Sequence, residues 1–189
     1  MESNHTSSTA MEIAKLDGAK RGDVKGYLHV GPSQFVRVST TSGLFPVNLR
    51  VYPDGTMQLP AKVNLKRVKF DCDGKLFGVK ELVVSESTLN FGNVSGSTMN
   101  DTFYERKYFF EHVTVNAEGK LRFLNENNGN VLEAKRLEVK TKGIVQGRKL
   151  TVMGDVIDVN EAAMITADGQ GFKQGTNSGE LNNRNKLNT

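Results

Sequence analysis

The chain is poor in the residues that usually cross-link a small protein or fill its core. Among 189 residues there is one cysteine, Cys72, no tryptophan and four prolines, and aromatic residues make up 7%. A single cysteine excludes an intrachain disulfide, and the shortage of aromatics predicts an aliphatic core. No stretch reaches the roughly 18 consecutive apolar residues of a membrane-spanning helix, so membrane insertion is not expected.

Three further patterns are missing. No stretch keeps apolar residues at helical spacing beyond two turns, so long helices are not expected. The formal net charge of +4 is small and basic residues alternate with acidic ones, so nucleic-acid binding is not expected. The polar start, from Met1 to His5, lacks the apolar core of a secretory signal, so we expect no signal peptide in this chain.

Glycine, by contrast, is abundant, with 19 residues. Between residues 26 and 169, short alternating segments rich in Val and Leu carry a recurring pattern: an apolar residue, any residue, Val or Phe, three residues, Gly, any residue and an apolar residue. Clear copies occupy residues 49–57, 68–76, 113–121 and 137–145. Two degenerate copies run through Leu82, Val84 and Leu89, without a glycine, and through Ile157, Val159 and Ile165, with Ala163 in its place.

The pattern favours a right-handed parallel β-solenoid. The two apolar residues of each copy point to one face of a strand, and the glycine three residues later permits a sharp corner before a second strand. Two strands meeting at a glycine corner would make one rung, and about six or seven rungs fit the chain. The alternative is an antiparallel β-sandwich, in which residues 125–130, NENNGN, would form a hairpin loop.

Three regions follow from this reading. Residues 1–25 are polar and predict a flexible segment, in which residues 10–16 could form one or two helical turns. Residues 26–169 form the predicted solenoid domain, with the polar stretch 92–107 extruded as a loop. Residues 170–189, rich in Gly and Asn, predict a second flexible tail.

One resemblance has the same location as the repeats. Residues 43–60, GLFPVNLRVYPDGTMQLP, resemble a rung of the β-helical repeat regions of large extracellular animal proteins and adhesins. Residues 165–172, ITADGQGF, are similar to the glycine-rich ends of such regions. The resemblance spans about residues 40–172 and concerns repeat texture. It implies a structural or adhesive role in an extracellular setting, and it carries over no catalytic residues.

Two motifs concern recognition at the cell surface. Arg21, Gly22 and Asp23 form the integrin-recognition tripeptide, in a segment that reads equally well as a plain flexible linker. Asn93 and Asn100 begin N-glycosylation sequons within the predicted loop, in a chain so rich in Asn, Ser and Thr that such sequons arise by chance.

A third candidate is a row of cations. Outward residues at equal offsets align on stacked rungs, so two basic stretches could form a strip that binds a polyanion. Its predicted contacts are Lys66, Arg67, Lys69, Lys140 and Lys142. The alternative is an ordinary solvated face with interspersed carboxylates, which also discourages edge-to-edge pairing.

Catalytic chemistry has little support in the sequence. The three histidines lie far apart, and the corner 71–74, DCDG, lacks the ligand spacing of a calcium loop, so no metal site or cofactor is expected. Glu138 and Asp158 could lie on nearby rungs, but a polysaccharide-cleaving enzyme needs a clustered acid and base.

The sequence therefore predicts a non-catalytic structural or adhesion module of an extracellular β-solenoid protein. The alternatives are a carbohydrate-binding or polysaccharide-cleaving β-helix domain and a scaffold that assembles end to end. The expected partners are a glycan, a cell-surface protein or further copies of the chain.

Overall fold

The computed structural model describes residues 11–14, 27–39, 45, 48–92, 106–125 and 129–167. Within these ranges every regular element is a β-strand, and every strand pair is parallel. The described chain contains no helix long and apolar enough to cross a membrane. The predicted parallel β-solenoid is therefore confirmed, and the alternative antiparallel sandwich is not needed to account for the described strands.

The fold contains seventeen described strands. They are β1 (Met11–Ala14), β2 (Tyr27–Val30), β3 (Phe35–Ser39), β4 (Asn48–Val51), β5 (Thr56–Gln58), β6 (Lys62–Lys66), β7 (Lys69–Cys72), β8 (Lys75–Phe77), β9 (Glu81–Ser85), β10 (Thr88–Phe91), β11 (Arg106–Val115), β12 (Lys120–Phe123), β13 (Asn130–Val139), β14 (Ile144–Gly147), β15 (Leu150–Met153), β16 (Val156–Val159) and β17 (Met164–Thr166).

The strands stack into three sheets. Sheet A has the order β1-β3-β5-β8, and sheet B has the order β2-β4-β7-β10-β12-β14-β17. Sheet C has the order β6-β9-β11-β13-β15, with β16 also paired to β13. Because sheet B receives one strand from each of seven successive coils, six turns separate its first strand from its last.

Each coil that the structure describes in full has three strand places, not the two that the repeat predicted. From β7 in sheet B the chain passes through β8 in sheet A and β9 in sheet C before it returns to sheet B at β10. In later coils one long strand covers two of these places. The first half of β13 pairs with β15 and its second half with β16, so β15 occupies the place between sheets B and C that β8 occupies earlier.

The recurring sequence pattern joins two different corners. Its copies at 113–121 and 137–145 align residue for residue, because Val113 pairs with Leu137 and their glycines both lie between sheets C and B. The two degenerate copies extend this same corner, with Leu82 paired to Val113 and Ile157 paired to Leu137.

The copies at 49–57 and 68–76 lie instead at the corner between sheets B and A. There Leu49 pairs with Phe70, so the alignment of Leu49 with Val68 was wrong by two residues. The turn is two residues longer in the first copy, which brings the glycines back into line. Sequence spacing alone does not reveal such a compensating insertion.

The core is a set of columns that run along the solenoid axis. In sheet B the inward residues of neighbouring strands pair in register, and they are at most 1% exposed in Leu49, Phe70, Leu89, Leu121 and Val145. Beside this column the rings of Phe91 and Phe123 stack at 5.6 Å. Cys72 is buried on the same face of β7 as Phe70. Burial in register, rather than any single contact, stabilises the stack.

The corner between sheets C and B uses residues other than glycine in the left-handed conformation. Five successive coils place such a residue there, with φ between 48° and 62°: Arg67, Glu86, Glu118, Lys142 and Ala162. In two of the later coils the next residue is Gly119 or Gly143. Its backbone N–H donates a hydrogen bond to the carbonyl oxygen three residues earlier, which closes the turn. The glycines are needed because the neighbouring coil passes close by, not for a positive φ.

The N-terminal region is more ordered at one point than the sequence indicated. Met11–Ala14 form β1, which pairs in parallel with β3. The helical turns predicted at 10–16 are therefore wrong for these four residues, which extend sheet A by one strand. Residues 168–189 lie outside the described residues, as do most of residues 1–25.

Candidate functional site on sheet C

A shallow cavity of about 220 Å³ opens on the outer face of sheet C. We call it the sheet C groove. Its lining residues are Lys62, Glu81, Leu82, Val83, His112, Val113, Thr114, Arg136 and Glu138. They come from four consecutive strands, β6, β9, β11 and β13, so the groove crosses the strands along the solenoid axis.

Strand alternation places the polar residues of the groove on the outside. Leu82 and Val113 point into the core and are at most 3% exposed, so their neighbours in sequence point outward. Register then aligns two outer columns. One contains Lys62, Glu81, His112 and Arg136, and the other contains Val83, Thr114 and Glu138. The short side chains of Val83 and Thr114 leave the depression between the longer charged ones.

The charged groups of the groove are paired with one another. The Lys62 Nζ lies 3.0 Å from a Glu81 carboxylate oxygen. The Arg136 Nε donates to Glu138 at 2.6 Å, and the Lys140 Nζ lies 3.3 Å from the other oxygen of the same carboxylate. Hydrogen bonding and charge attraction from Lys62 lower the pKa of Glu81, with a smaller effect of His112. The hydrogen bond from Arg136 likewise lowers the pKa of Glu138.

The residues that line the groove carry no net formal charge, whereas Lys140, outside the lining, adds one positive charge beside Glu138. Lys62 and Arg136 contribute two positive charges, and Glu81 and Glu138 contribute two negative ones, so their formal sum is zero when His112 is neutral. The lining nevertheless offers ammonium, guanidinium and imidazole donors beside carboxylate and hydroxyl acceptors. Such a lining suits a polar, uncharged ligand better than a polyanion.

The Glu138 pair predicts a defined pH dependence of stability. The pKa of Glu138 is lower in the folded state than its ordinary value. The stability that the ionised Glu138 contributes is therefore fully present above the unfolded-state pKa, and it is lost as pH falls through the folded-state pKa. We expect Glu138→Gln to lower stability at pH 7 by less than about 1 kcal/mol, since the pair is solvated. At a pH below the folded-state pKa the variant and the wild type should agree. Thermal unfolding followed by circular dichroism at several pH values measures this.

Glu133→Gln is the matched control, because Glu133 lies on the same strand, is exposed and forms no ion pair with any described residue. Its effect on the unfolding temperature should be small at neutral and at low pH. A Glu138→Gln defect that persists unchanged at low pH would contradict the role given to ionisation.

The five cations predicted to contact a polyanion do not form one continuous row. Four of them face carboxylates: Lys66 and Arg67 face Glu86, at 3.9 and 2.6 Å, Lys69 faces Asp71 at 3.2 Å, and Lys140 faces Glu138. Lys142 lies at the corner between sheets C and B, in no ion pair with a described residue. Polyanion binding through these residues stays a prediction.

A second polar cluster lies on the outer face of sheet B, around Arg50. Its guanidinium lies 3.5 Å from Asp71 and 3.2 Å from Asp73, and it sits 5.1 Å from the centre of the Tyr52 ring. The Asn90 amide donates to Asp71 at 2.6 Å. The side chain of Asp73 is only 2% exposed. Because these partners bind each other and the carboxylates are covered, we interpret the Arg50 cluster as a stabilising element.

The remaining predicted residues lie outside the described part of the chain. These are the tripeptide Arg21, Gly22 and Asp23 and the two sequon residues Asn93 and Asn100. Glu138 and Asp158 are register partners on adjacent strands, as the repeats suggested. Sequence reasoning missed the groove itself, because Glu81 and His112 lie 31 residues apart and only the register makes them neighbours.

No group of three or more His, Cys, Asp or Glu side chains within the described ranges has the geometry to hold a metal ion. Comparison with known proteins gave no match to a protein-family model, a curated protein or a solved structure.

Proposed function

We propose that the chain is a non-catalytic structural and adhesion module that binds a neutral glycan through the sheet C groove. One observation carries the proposal: a cavity lined by two internally paired cation–carboxylate couples, with no net formal charge, lies on the flat outer face of a solenoid. The solenoid supplies the rigid support, and the groove supplies the contact.

The structural role is supported by the way the coils are joined. Hydrogen bonds between parallel strands join all seven strands of sheet B, and a buried apolar column runs through the five strands from β4 to β14. Ion pairs add links between coils: Lys62 to Glu81, Arg67 to Glu86 and Arg50 to Asp71. In such a stack each coil contacts only its neighbours, and the whole forms a stiff rod that holds its outer groups at fixed spacing.

The glycan is inferred from the size and chemistry of the groove. Its volume of about 220 Å³ is smaller than the roughly 300 Å³ at the lower end of pockets for drug-sized molecules. A single sugar ring fits such a space, and its hydroxyl groups can both donate and accept hydrogen bonds. The Val83 and Thr114 side chains offer a small, partly apolar floor to the ring face. A sulfated or otherwise anionic glycan would have to displace Glu81 and Glu138 from their partners.

The non-catalytic assignment is supported by the state of Glu138. Cleavage of a glycosidic bond needs a carboxylic acid that stays protonated near neutral pH, which requires a raised pKa. The pKa of Glu138 is shifted the other way by Arg136. The same holds for Glu81 beside Lys62. Both groups are therefore suited to accept hydrogen bonds from a bound sugar and unsuited to act as its general acid.

The extracellular setting is part of this proposal. It rests on the resemblance of residues 43–60 and 165–172 to extracellular β-helical repeats and on the absence of any need for disulfides in a stacked solenoid. A shallow groove gives weak binding at a single site, and adhesion then depends on several copies acting together.

Blocking the groove tests the proposal. Thr114→Arg places a long side chain on the groove floor at an outward strand position, so the fold should persist while the space is lost. We expect neutral glycans that bind the wild type on a glycan array to bind the variant at least about tenfold more weakly, a change of roughly 1.4 kcal/mol. Titration calorimetry with the best glycan measures the change in dissociation constant.

Thr151→Arg is the matched control, because Thr151 is exposed on the outer side of β15, away from the groove. It should bind as the wild type does. Two results would contradict the proposal: equal glycan binding by Thr114→Arg and the wild type, or binding confined to sulfated glycans and abolished by salt. The second result would favour the predicted cation strip instead.

A further inference from the structure

The solenoid ends in a coil whose core residues are open to solvent. The inward side chains of Ile157, Val159 and Ile165 are 44%, 44% and 36% exposed. Their register partners one coil below, including Leu137 and Val139, are fully buried. We call the surface formed by β15, β16 and β17 the terminal face. Its exposed apolar side chains are Met153, Val156, Ile157, Val159, Met164 and Ile165.

The backbone of the terminal face is open as well. β15 and β16 pair only with β13 among the described strands, and β17 pairs only with β14. β15 and β16 therefore present an outer edge to which no described strand is hydrogen-bonded. Such an edge binds another strand through backbone hydrogen bonds.

Charge distinguishes the two ends of the molecule. Residues 150–167 contain three acidic residues, Asp155, Asp158 and Glu161, and no Lys or Arg. The outermost described strands at the opposite end, β1 and β2, contain one acidic residue, Glu12, and no Lys or Arg. Two terminal faces brought together would place three carboxylates against three others. A terminal face placed on β1 and β2 of another copy opposes its three carboxylates to only one.

The order of the strands matches as well. Along the chain, a strand in sheet B is followed by a strand at the place of sheet A, as β7 is followed by β8. The described chain ends in sheet B with β17 and begins in sheet A with β1. A second copy stacked on the terminal face would thus begin at the place where the next strand belongs.

We propose that the terminal face binds the N-terminal end of a second copy of this chain, head to tail, where β1 and β2 are the outermost described strands. The contact places β1 beyond β15 and β2 beyond β17, which continues two of the ladders, and it buries the exposed ends of the apolar columns. Because the two surfaces differ, the contact is heterologous and does not close on itself, so it produces a series of dimers, trimers and longer rods. This proposal is independent of the groove, which lies on the side of the solenoid.

Sedimentation velocity of the full chain over a wide micromolar concentration range tests the association. The wild type should show a series of species whose mean size rises with concentration. Ile157→Asp, which puts a charge into the terminal face, should remain monomeric to at least about tenfold higher concentration. Thr88→Asp adds the same charge at an outward position of β10, in the middle of the solenoid, and should assemble as the wild type does.

A mixing experiment identifies the occupant. Leu28 is the partly buried inward residue of β2, at the opposite end, and Leu28→Asp should also be monomeric alone. Mixed in equal amounts, Ile157→Asp and Leu28→Asp should form heterodimers only, because each retains one intact end. Circular dichroism establishes that both variants are folded. If Leu28→Asp does not fold, the experiment uses Tyr27→Asp, a substitution at the same end of the molecule.

Other binding partners for the terminal face would give different results. If terminal faces pair with each other, the wild type stops at dimers and Leu28→Asp dimerises alone. If residues 168–189 of the same chain cover the terminal face, the wild type is monomeric at every concentration. Either outcome would overturn the proposal.

Discussion

Gly143→Ala should lower the free energy of unfolding by about 3 kcal/mol, as overpacking of a rigid site does. A Cβ at this position would lie 2.5 Å from the carbonyl oxygen of Val115 in the coil below and 2.8 Å from that of Lys140. Both are backbone atoms, so no side chain can rotate away, and the coils must separate. At about 2–4 °C per kcal/mol for a chain of this size, the unfolding temperature should fall by roughly 6–12 °C, measured by calorimetry.

Two neighbouring substitutions serve as controls. Ala163 takes the same place in the last coil, which has no described coil above it and is free to shift, so Ala163→Gly should change stability by less than about 1 kcal/mol. Lys142 precedes Gly143 and has a φ of 62°. Lys142→Gly should stabilise the fold by about 1 kcal/mol, because glycine adopts this conformation without a Cβ clash. If Gly143→Ala proves as harmless as Ala163→Gly, close packing of the coils at this corner is refuted.

The architecture was predictable because its signal is local. Alternation puts Leu82 and Val84, or Val113 and Val115, on one face within three residues, and a turn follows at once. The third strand of each coil carries a weaker signal. β5 and β8 have three residues each, and in each only the middle residue, Met57 or Leu76, packs against the core. Each copy of the sequence pattern spans one corner and so contains only two strands. Copies from two different corners were taken as the same repeat, which explains why the sequence predicted two strands per rung.

The groove was not predictable because its signal is not local. Lys62, Glu81, His112 and Arg136 are separated by 19, 31 and 24 residues, and these unequal intervals hide the column. A loop of unknown length in one coil shifts every later position relative to a fixed repeat. The same unequal intervals make it hard to align the predicted cations from the sequence. Lys66 and Lys140 share an outer column, but Ser85 and Asn116 stand between them.

Arg50→Met should lower the free energy of unfolding by about 3 kcal/mol, which makes it the most harmful substitution expected at an outward-facing position of the sheets. Removing one partner of a buried ion pair leaves the other charge without compensation, which costs roughly 3–5 kcal/mol. Here Asp73 is 2% exposed and Asp71 is 8% exposed, whereas Arg50 keeps 29% of its side chain in water. Lys69 continues to face Asp71, which places the expected loss at the lower end of that range. Methionine retains the aliphatic stem of arginine, so packing changes little.

Arg122→Met is the control that separates the effect of losing the charge from the effect of changing the packing. Arg122 lies in the same outer column of sheet B, two strands beyond Asp71, and its Nε donates to the neutral amide of Gln146 at 3.1 Å. No carboxylate depends on it in the described structure, so the same substitution should cost less than about 1 kcal/mol. Denaturant unfolding of both variants makes the comparison. Adding Asp73→Asn to Arg50→Met should restore part of the loss, because the buried side chain at position 73 then carries no charge. Equal losses for the two arginines, with no recovery in the double variant, would mean that their stems rather than the buried carboxylates determine the effect.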